Sequence, residues 1–178
     1  VGKGALGADT KGNANVAIGK DALASQNFTT SVDSFNTAVG YEAGVLVTTG
    51  LQNTLIGGLA GDALTDADVN VAVGYIALST ATANGTNTAV GAQALANMNN
   101  TTVALTANTA LGYNSAVTLT TGINNTMLGA LAGDNTSTGS ANTVVGYNIN
   151  TSAVNVDHEI CLGNSFTGAG TNTVRIGT

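Results

Sequence analysis

Catalysis or metal binding would need a nucleophile, an acid–base pair or a ligand set, and this 178-residue chain offers few candidates. His158 is the single histidine; Asp157 and Glu159 flank it, and Cys161, the single cysteine, follows closely. Histidine, thiolate and carboxylate together are metal-ligand types. Yet Glu159-Ile-Cys-Leu-Gly163 is one copy of a pentad that recurs along the chain, and Cys161 takes the place usually held by alanine. A free cysteine there behaves as a small hydrophobe, so the cluster is expected to be a structural variant and no metal is assigned. Asp62 and Asp134 each follow Leu-Ala-Gly in a bend. One carboxylate per bend falls short of the about six to eight oxygens calcium prefers, so turn capping is expected. The serines have no partner histidine beyond His158, which leaves no triad. No Gly-x-Gly-x-x-Gly stands between a strand and a helix, which leaves no nucleotide loop. The expectation is a non-enzyme with no catalytic residue and no cofactor.

The element that carries these residues is the pentad itself. Asn36-Thr-Ala-Val-Gly40, Asn53-Thr-Leu-Ile-Gly57 and Asn70-Val-Ala-Val-Gly74 lie 17 residues apart. Extending the series gives glycines 19, 40, 57, 74, 91, 112, 129, 146, 163 and 177, with spacings of 21, 17, 17, 17, 21, 17, 17, 17 and 14. The 21-residue spacings recur every fourth step, so a four-turn block repeats after 72 residues: Val47-Thr-Thr-Gly-Leu-Gln-Asn-Thr54 matches Leu119-Thr-Thr-Gly-Ile-Asn-Asn-Thr126. Repeats of this kind predict a solenoid in which each unit contacts its neighbours. Residues 1–13 read as a partial turn in which Ala5-Leu-Gly7 echoes the pentad, and residues 14–178 as the repeat domain. The connection from Ala24 to Phe35 carries the first four-residue insertion and is placed on the surface.

Alternation within the pentad predicts a strand. Ile18, Val39, Ile56, Val73, Val90, Leu111, Leu128, Val145, Leu162 and Ile176 hold its fourth position and are taken as the repeat core. They share a bulky face with Thr37 and its equivalents, while Ala38, Ala72, Ala89 and Ala110 share a smooth face with the glycines. A second short strand is expected three residues after the glycine, at Ala22, Ala43, Ala60 and their equivalents. A helix is the rival there, but too little chain separates the glycines to sustain one. Stacked turns would place Asn15, Asn36, Asn53, Asn70, Asn87, Asn108, Asn125 and Asn142 in a ladder, each amide bonding the next turn or capping the bend. Tyr41, Tyr75, Tyr113 and Tyr147 follow alternate pentad glycines, with Gly58, Ala92 and Ala130 between them. Large–small alternation suits close packing or a contact between chains; a sugar-binding aromatic row is the functional alternative.

Composition agrees with periodic order rather than disorder. Charged residues make up 8% of the chain, aromatics 4%, glycine numbers 24 and proline is absent, while the mean hydropathy is +0.23; disorder would require low hydrophobicity with high net charge. No run of apolar residues is long enough to span a membrane as a helix. Four Lys and Arg against ten Asp and Glu leave no basic stripe for nucleic acid. The start Val1-Gly2-Lys3, without methionine or signal peptide, suggests a processed or excised piece. Asn-x-Ser/Thr sequons, Asn27 and Asn124 among them, would be glycosylated only if a eukaryotic host made the chain.

The Asn-Thr-Ala-Val-Gly-Tyr-x-Ala-Leu turns, with Thr-Thr-Gly-x-x-Asn-Thr leading into the next, resemble the YadA-like head repeats of trimeric autotransporter adhesins and related repeats in phage and viral fibre or surface proteins. The resemblance covers about residues 14 to 178. It implies an all-β, left-handed parallel β-roll of about ten turns, packed as a homotrimer, with Val39, Val73, Val90 and Leu111 filling each roll and the alanines permitting close approach. It further implies a structural segment of an extracellular, cell-surface or virion-surface fibre or adhesin, with its own copies as partners and a host surface or glycan as a further one. The turns are longer than the adhesin heads use and richer in Asn-Thr, closer to the viral and environmental versions. The ending Asn172-Thr-Val-Arg-Ile-Gly-Thr178 looks like the turn before a trimerising chaperone domain. An ice- or mineral-binding solenoid and an end-to-end filament subunit are the alternatives. The first would need a flat outward threonine face, whereas threonines sharing the bulky face are expected to be buried.

Overall fold

The computed structural model describes residues 2–102 and 105–177; Val1, Val103, Ala104 and Thr178, the outer ends of two motifs quoted above among them, lie outside the described residues. The described chain is all-β and parallel, a β-solenoid of about ten turns. In chain order its strands are β1 (Gly12–Asn13), β2 (Val16–Ile18), β3 (Val32–Asp33), β4 (Thr37–Val39), β5 (Thr54–Ile56), β6 (Val71–Val73), β7 (Thr88–Val90), β8 (Thr109–Leu111), β9 (Thr126–Leu128), β10 (Thr143–Tyr147), β11 (Ile160–Asn164) and β12 (Val174–Gly177). Ten of them form one sheet in the order β12-β11-β10-β9-β8-β7-β6-β5-β4-β2, so each pentad pairs with the pentad of the next turn. The register is position on position: Thr37 beside Thr54, Ala38 beside Leu55, Val39 beside Ile56. Ten strands at about 4.8 Å per step make a stack about 43 Å long.

The faces of this sheet are the reverse of the sequence expectation. The third pentad position points inward and is closed to solvent at Ala38, Leu55, Ala72, Ala89, Ala110, Met127, Val144 and Cys161. The bulky fourth position points outward: Ile18 is 47% exposed, Leu111 46% and Ile176 73%, with Ile56 and Leu128 also exposed and Val39, Val73, Val90, Val145 and Leu162 half-buried. The repeat core assigned to those ten residues is therefore corrected to the third position, and Ala38, Ala72, Ala89 and Ala110 are interior residues. The reason is the width of the turn. Ala38 looks across at a second wall lined by Ala22, Ala43, Ala60, Ala77, Ala94, Ser115 and Ala132, all with no exposure. The space between two such walls takes about one long side chain per turn, and a branched residue on every rung would overfill it.

That second wall is a run of tight turns where a strand was expected. Ala43 N–H donates to Gly40 O and Val45 N–H to Glu42 O, within the turn, whereas Glu42 N–H donates to Lys20 O and Gly44 N–H to Ala60 O, on the two neighbouring turns. The backbone alternates in hand to do this, with φ positive at Glu42 and Gly44 and again at Leu59, Gly61, Ile76 and Leu78. Alternate amides thus close the local turn while the others tie the stack, which satisfies the backbone without an extended strand.

The space between the walls is filled by exchange. Where the third pentad position is alanine, the residue four beyond the glycine is often leucine: Leu23, Leu78 and Leu95, all fully buried. Where it is Leu55 or Met127, that residue is Gly61 or Gly133. A Cβ on Gly61 would lie 2.8 Å from both Leu55 Cδ2 and Leu64 Cδ1, and one on Gly133 would run into the Met127 side chain. Positive φ does not by itself demand glycine here, because Leu78 and Leu95 hold φ of 54° and 51° at the same place; the volume of Leu55 or Met127 does. The pentad glycines are different. Gly40 has φ of 144°, and any Cβ on it would meet the carbonyl oxygen of Gly57 one turn on, so both the dihedral and the close approach require glycine.

The first turn begins earlier than the sequence reading placed it. Gly2, not Gly7, is the glycine in phase: it stacks on Gly19 as Gly19 stacks on Gly40. Leu6 then occupies the place of Leu23, its amide bonded to Ala22 O at 3.0 Å. The long turns protrude as matched features. Gly12 and Asn13 of β1 pair with Val32 and Asp33 of β3, and the bridge Gly85 to Leu105 repeats that pairing one block later.

Candidate binding face

Within the wall of the strand, parity places the asparagines inside. Asn36, Asn53, Asn70, Asn87, Asn108, Asn125 and Asn142 are buried, and each does two jobs. The Oδ1 of Asn36 accepts from the backbone N–H of Asn53 at 2.8 Å, Oδ1 of Asn53 from Asn70 at 3.0 Å, and Oδ1 of Asn108 from Asn125 at 2.9 Å. Except at Asn87, whose Nδ2 donates to Gly85 O at 3.3 Å, the Nδ2 donates to the carbonyl that ends the residue's own turn: Asn36 to Gly50 at 2.7 Å, Asn53 to Ala67 at 2.8 Å, Asn142 to Val156 at 2.7 Å. One acceptor and one donor on the same short side chain is what asparagine supplies and aspartate lacks. Asn15, half-buried at the start of the column, accepts from Asn36 N–H at 2.9 Å. At the far end Glu159 takes the ladder position. Its amide donates to Asn142 Oδ1 at 2.9 Å, and its fully buried carboxylate accepts from Ser152 N–H at 2.8 Å and Gly170 N–H at 2.7 Å. Sequence reasoning grouped Glu159 with His158; its place at the head of the pentad was the signal that it belongs to the ladder.

The residues first considered for chemistry are kept apart by the fold. Cys161 points into the core and its thiol is pushed up to about 11, first by burial and then by the nearby Glu159. His158, three residues before Cys161, faces solvent, and Asp157 accepts from Ser140 N–H at 2.6 Å, tying its turn to the previous one. Among the described residues no group of three or more His, Cys, Asp or Glu gathers in metal-binding geometry, and no pocket opens. Asp62 and Asp134 are partly buried; burial raises both carboxyls above the ordinary range, each opposed by its own backbone amide, and Glu42 adds to the rise at Asp62.

What remains is surface. The outward face of the sheet carries two columns running the length of the stack. One holds Thr37, Thr54, Thr88, Thr109, Thr126 and Thr143, interrupted by Val16, Val71, Ile160 and Val174; the other is the aliphatic fourth position. Together they form a strip about 43 Å by about 10 Å, of which the aliphatic column is about half, and exposed apolar surface gathered in one place marks interaction sites. Beside it, round the corner made by the pentad glycine, Tyr41, Tyr75, Tyr113 and Tyr147 are 50, 56, 57 and 55% exposed. They are not interior packing. Tyr75 lies against Gly58 of the preceding turn, where a Cβ would be 3.5 Å from its ring, and Lys20 Nζ sits 5.2 Å over Tyr41.

The chain is thus a parallel β-solenoid repeat protein with a filled interior and one long face that carries an aliphatic column beside a threonine column. No family model matches it, and neither does any curated protein or solved structure.

Proposed function

We propose that the chain is a structural segment of an extracellular or virion fibre or adhesin, a homotrimeric rod whose outward sheet face is the contact between copies. The observation that carries this reading is the unbroken aliphatic column from Ile18 to Ile176, with Ile18, Leu111, Leu128 and Ile176 all exposed in the single chain. Burying a large aliphatic side chain is worth about 1.5–3 kcal/mol, and ten in register on one face supply an interface that needs no other device. The interior supports the same reading from the opposite side. It is built mainly of alanine with about one long side chain per turn, so one chain buries little against its ordering cost of about 1–2 kcal/mol per residue. The resemblance to trimeric head repeats gives the copy number.

Light scattering after size exclusion tests it: the expected mass is three times the 17.4 kDa of one chain. Val73→Lys combined with Leu111→Lys should give monomers that keep the β circular dichroism signal. A wild-type mass of one chain at micromolar concentration would sink the trimer, and open-ended polymers would point to end-to-end assembly instead.

One observation favours a second reading. The threonine column, expected to be buried, faces out, with hydroxyls about 4.8 Å apart along the stack. A rigid, regularly spaced hydroxyl–methyl array is suited to a crystalline lattice. A monomeric wild type showing thermal hysteresis that Thr88→Asp abolishes would favour an ice-binding solenoid over the trimer.

A further inference from the structure

The tyrosine row offers a separate surface. Its four rings are the only tyrosines in the chain, and all four stand on one edge of the stack at every second turn. The spacing between successive rings is two strand steps, about 9.6 Å. Each is held in line by the backbone: Leu59 N–H donates to Tyr41 O, Gln93 to Tyr75 O, Leu131 to Tyr113 O and Ser165 to Tyr147 O, all at 2.9 Å. Between them Gly58, Ala92 and Ala130 are small and leave low ground beside the rings, and at one end Lys20 Nζ sits 5.2 Å over Tyr41, a cation that a sugar must displace. The result is a straight, pre-organised set of aromatic platforms separated by low ground.

We infer that this row binds a neutral β-1,4-linked glucan laid along the stack, one tyrosine under every second sugar. Aromatic rings with a polar tip suit ligands that have an apolar face and a wet rim, and the C–H face of a pyranose is such a ligand. In an extended β-1,4 chain each ring is flipped relative to the last, so the disaccharide is the repeat that presents the same face to one side, and its length is close to the two-turn spacing. A coiled α-1,4 chain would leave the line after one ring. Charge excludes the acidic polysaccharides: ten Asp and Glu against four Lys and Arg repel a polyanion, while a neutral chain is unaffected. Platforms carried on an already ordered backbone lower the ordering cost of binding. Several weak contacts on one polymer add as avidity, so affinity should climb steeply with ligand length.

The inference deepens the fibre reading and rests on its exposed rod, though not on the copy number. Because the chain has no tryptophan, its tyrosine emission is not masked and comes from these four rings. Titration with cellohexaose should change tyrosine emission, cellobiose at the same concentration should not, and the protein should be retained on microcrystalline cellulose. Tyr75→Ala with Tyr113→Ala should weaken retention at least about tenfold, while Tyr75→Phe with Tyr113→Phe, which keeps the rings, should stay within about twofold. Circular dichroism melts establish that both variants fold. No retention by the wild type, or undiminished retention by the alanine variant, overturns the inference. So does a loss of assembly mass in that variant, which would make the row a contact between copies. A monomeric wild type that still binds cellulose would overturn the trimer and leave the glucan site standing.

Discussion

At the scale of single residues, the asparagine ladder is the costliest feature to disturb. Asn70 accepts the Asn87 amide at 3.0 Å through Oδ1 and donates to Asn84 O at 3.0 Å through Nδ2, with no exposure. Asn70→Ala removes both bonds and takes the acceptor from the buried Asn87 N–H, at about 1–3 kcal/mol. Asn70→Asp keeps the acceptor, but sets a carboxylate against a carbonyl oxygen. Both variants should lower the urea midpoint sharply, whereas Asn124→Ala, at an exposed place one residue before the ladder, should hardly move it. The ladder was legible from the 17-residue recurrence of Asn alone. Its burial also held a clue to the faces, since the first and third pentad positions share a parity. A buried asparagine column therefore obliges Ala38 and Ala72 to face inward with it. Smoothness does not say which side is inside, because small residues suit a narrow interior as well as a close contact between chains.

At the scale of the repeating element, the exchange between Leu55 and Gly61 was present in the sequence as the matching Leu-Ala-Gly-Asp segments, but its meaning was not. Only the distance across the turn shows that the glycine makes room for a leucine on the opposite wall. The pair should behave as a unit. Gly61→Leu should cost about 1–3 kcal/mol by overpacking, and Leu55→Ala about 2–5 kcal/mol by leaving a cavity. The double variant, which rewrites the turn in the manner of Ala72 and Leu78, should recover most of the loss. A double-mutant cycle by chemical denaturation measures the coupling, and strictly additive losses would refute the exchange. The second wall was missed as a run of turns for a related reason: its alternating positive φ is held by Glu42, Leu59 and Ile76 as well as by glycine, so no residue type marks it.

At the scale of the whole molecule, the 72-residue block is a unit of construction. Removing residues 41–112, so that Gly40 runs directly into Tyr113, keeps the spacing to the next pentad glycine at 17 and keeps a tyrosine after the joined glycine. The shortened chain should fold into a stack about 19 Å shorter, with a cooperative but lower melt, since each turn depends on nearest neighbours. Small-angle scattering of the excised chain measures the length. A deletion of eight residues in the same region, which breaks the phase, should not fold.

The hydrogen bonds that join one turn to the next all lie across the stack, and each spans little more than one repeat of sequence. Gly57 N–H reaches Val39 O and Gly74 N–H reaches Ile56 O, and among the described residues no backbone hydrogen bond joins turns that are not adjacent. Under tension applied at its two ends, such a body has no clasp holding distant parts together. It should pay out like thread from a spool, one 17-residue coil at a time, each releasing on the order of 55 Å of slack. A tether built this way absorbs a pull in many small yields while the remaining coils stay wound.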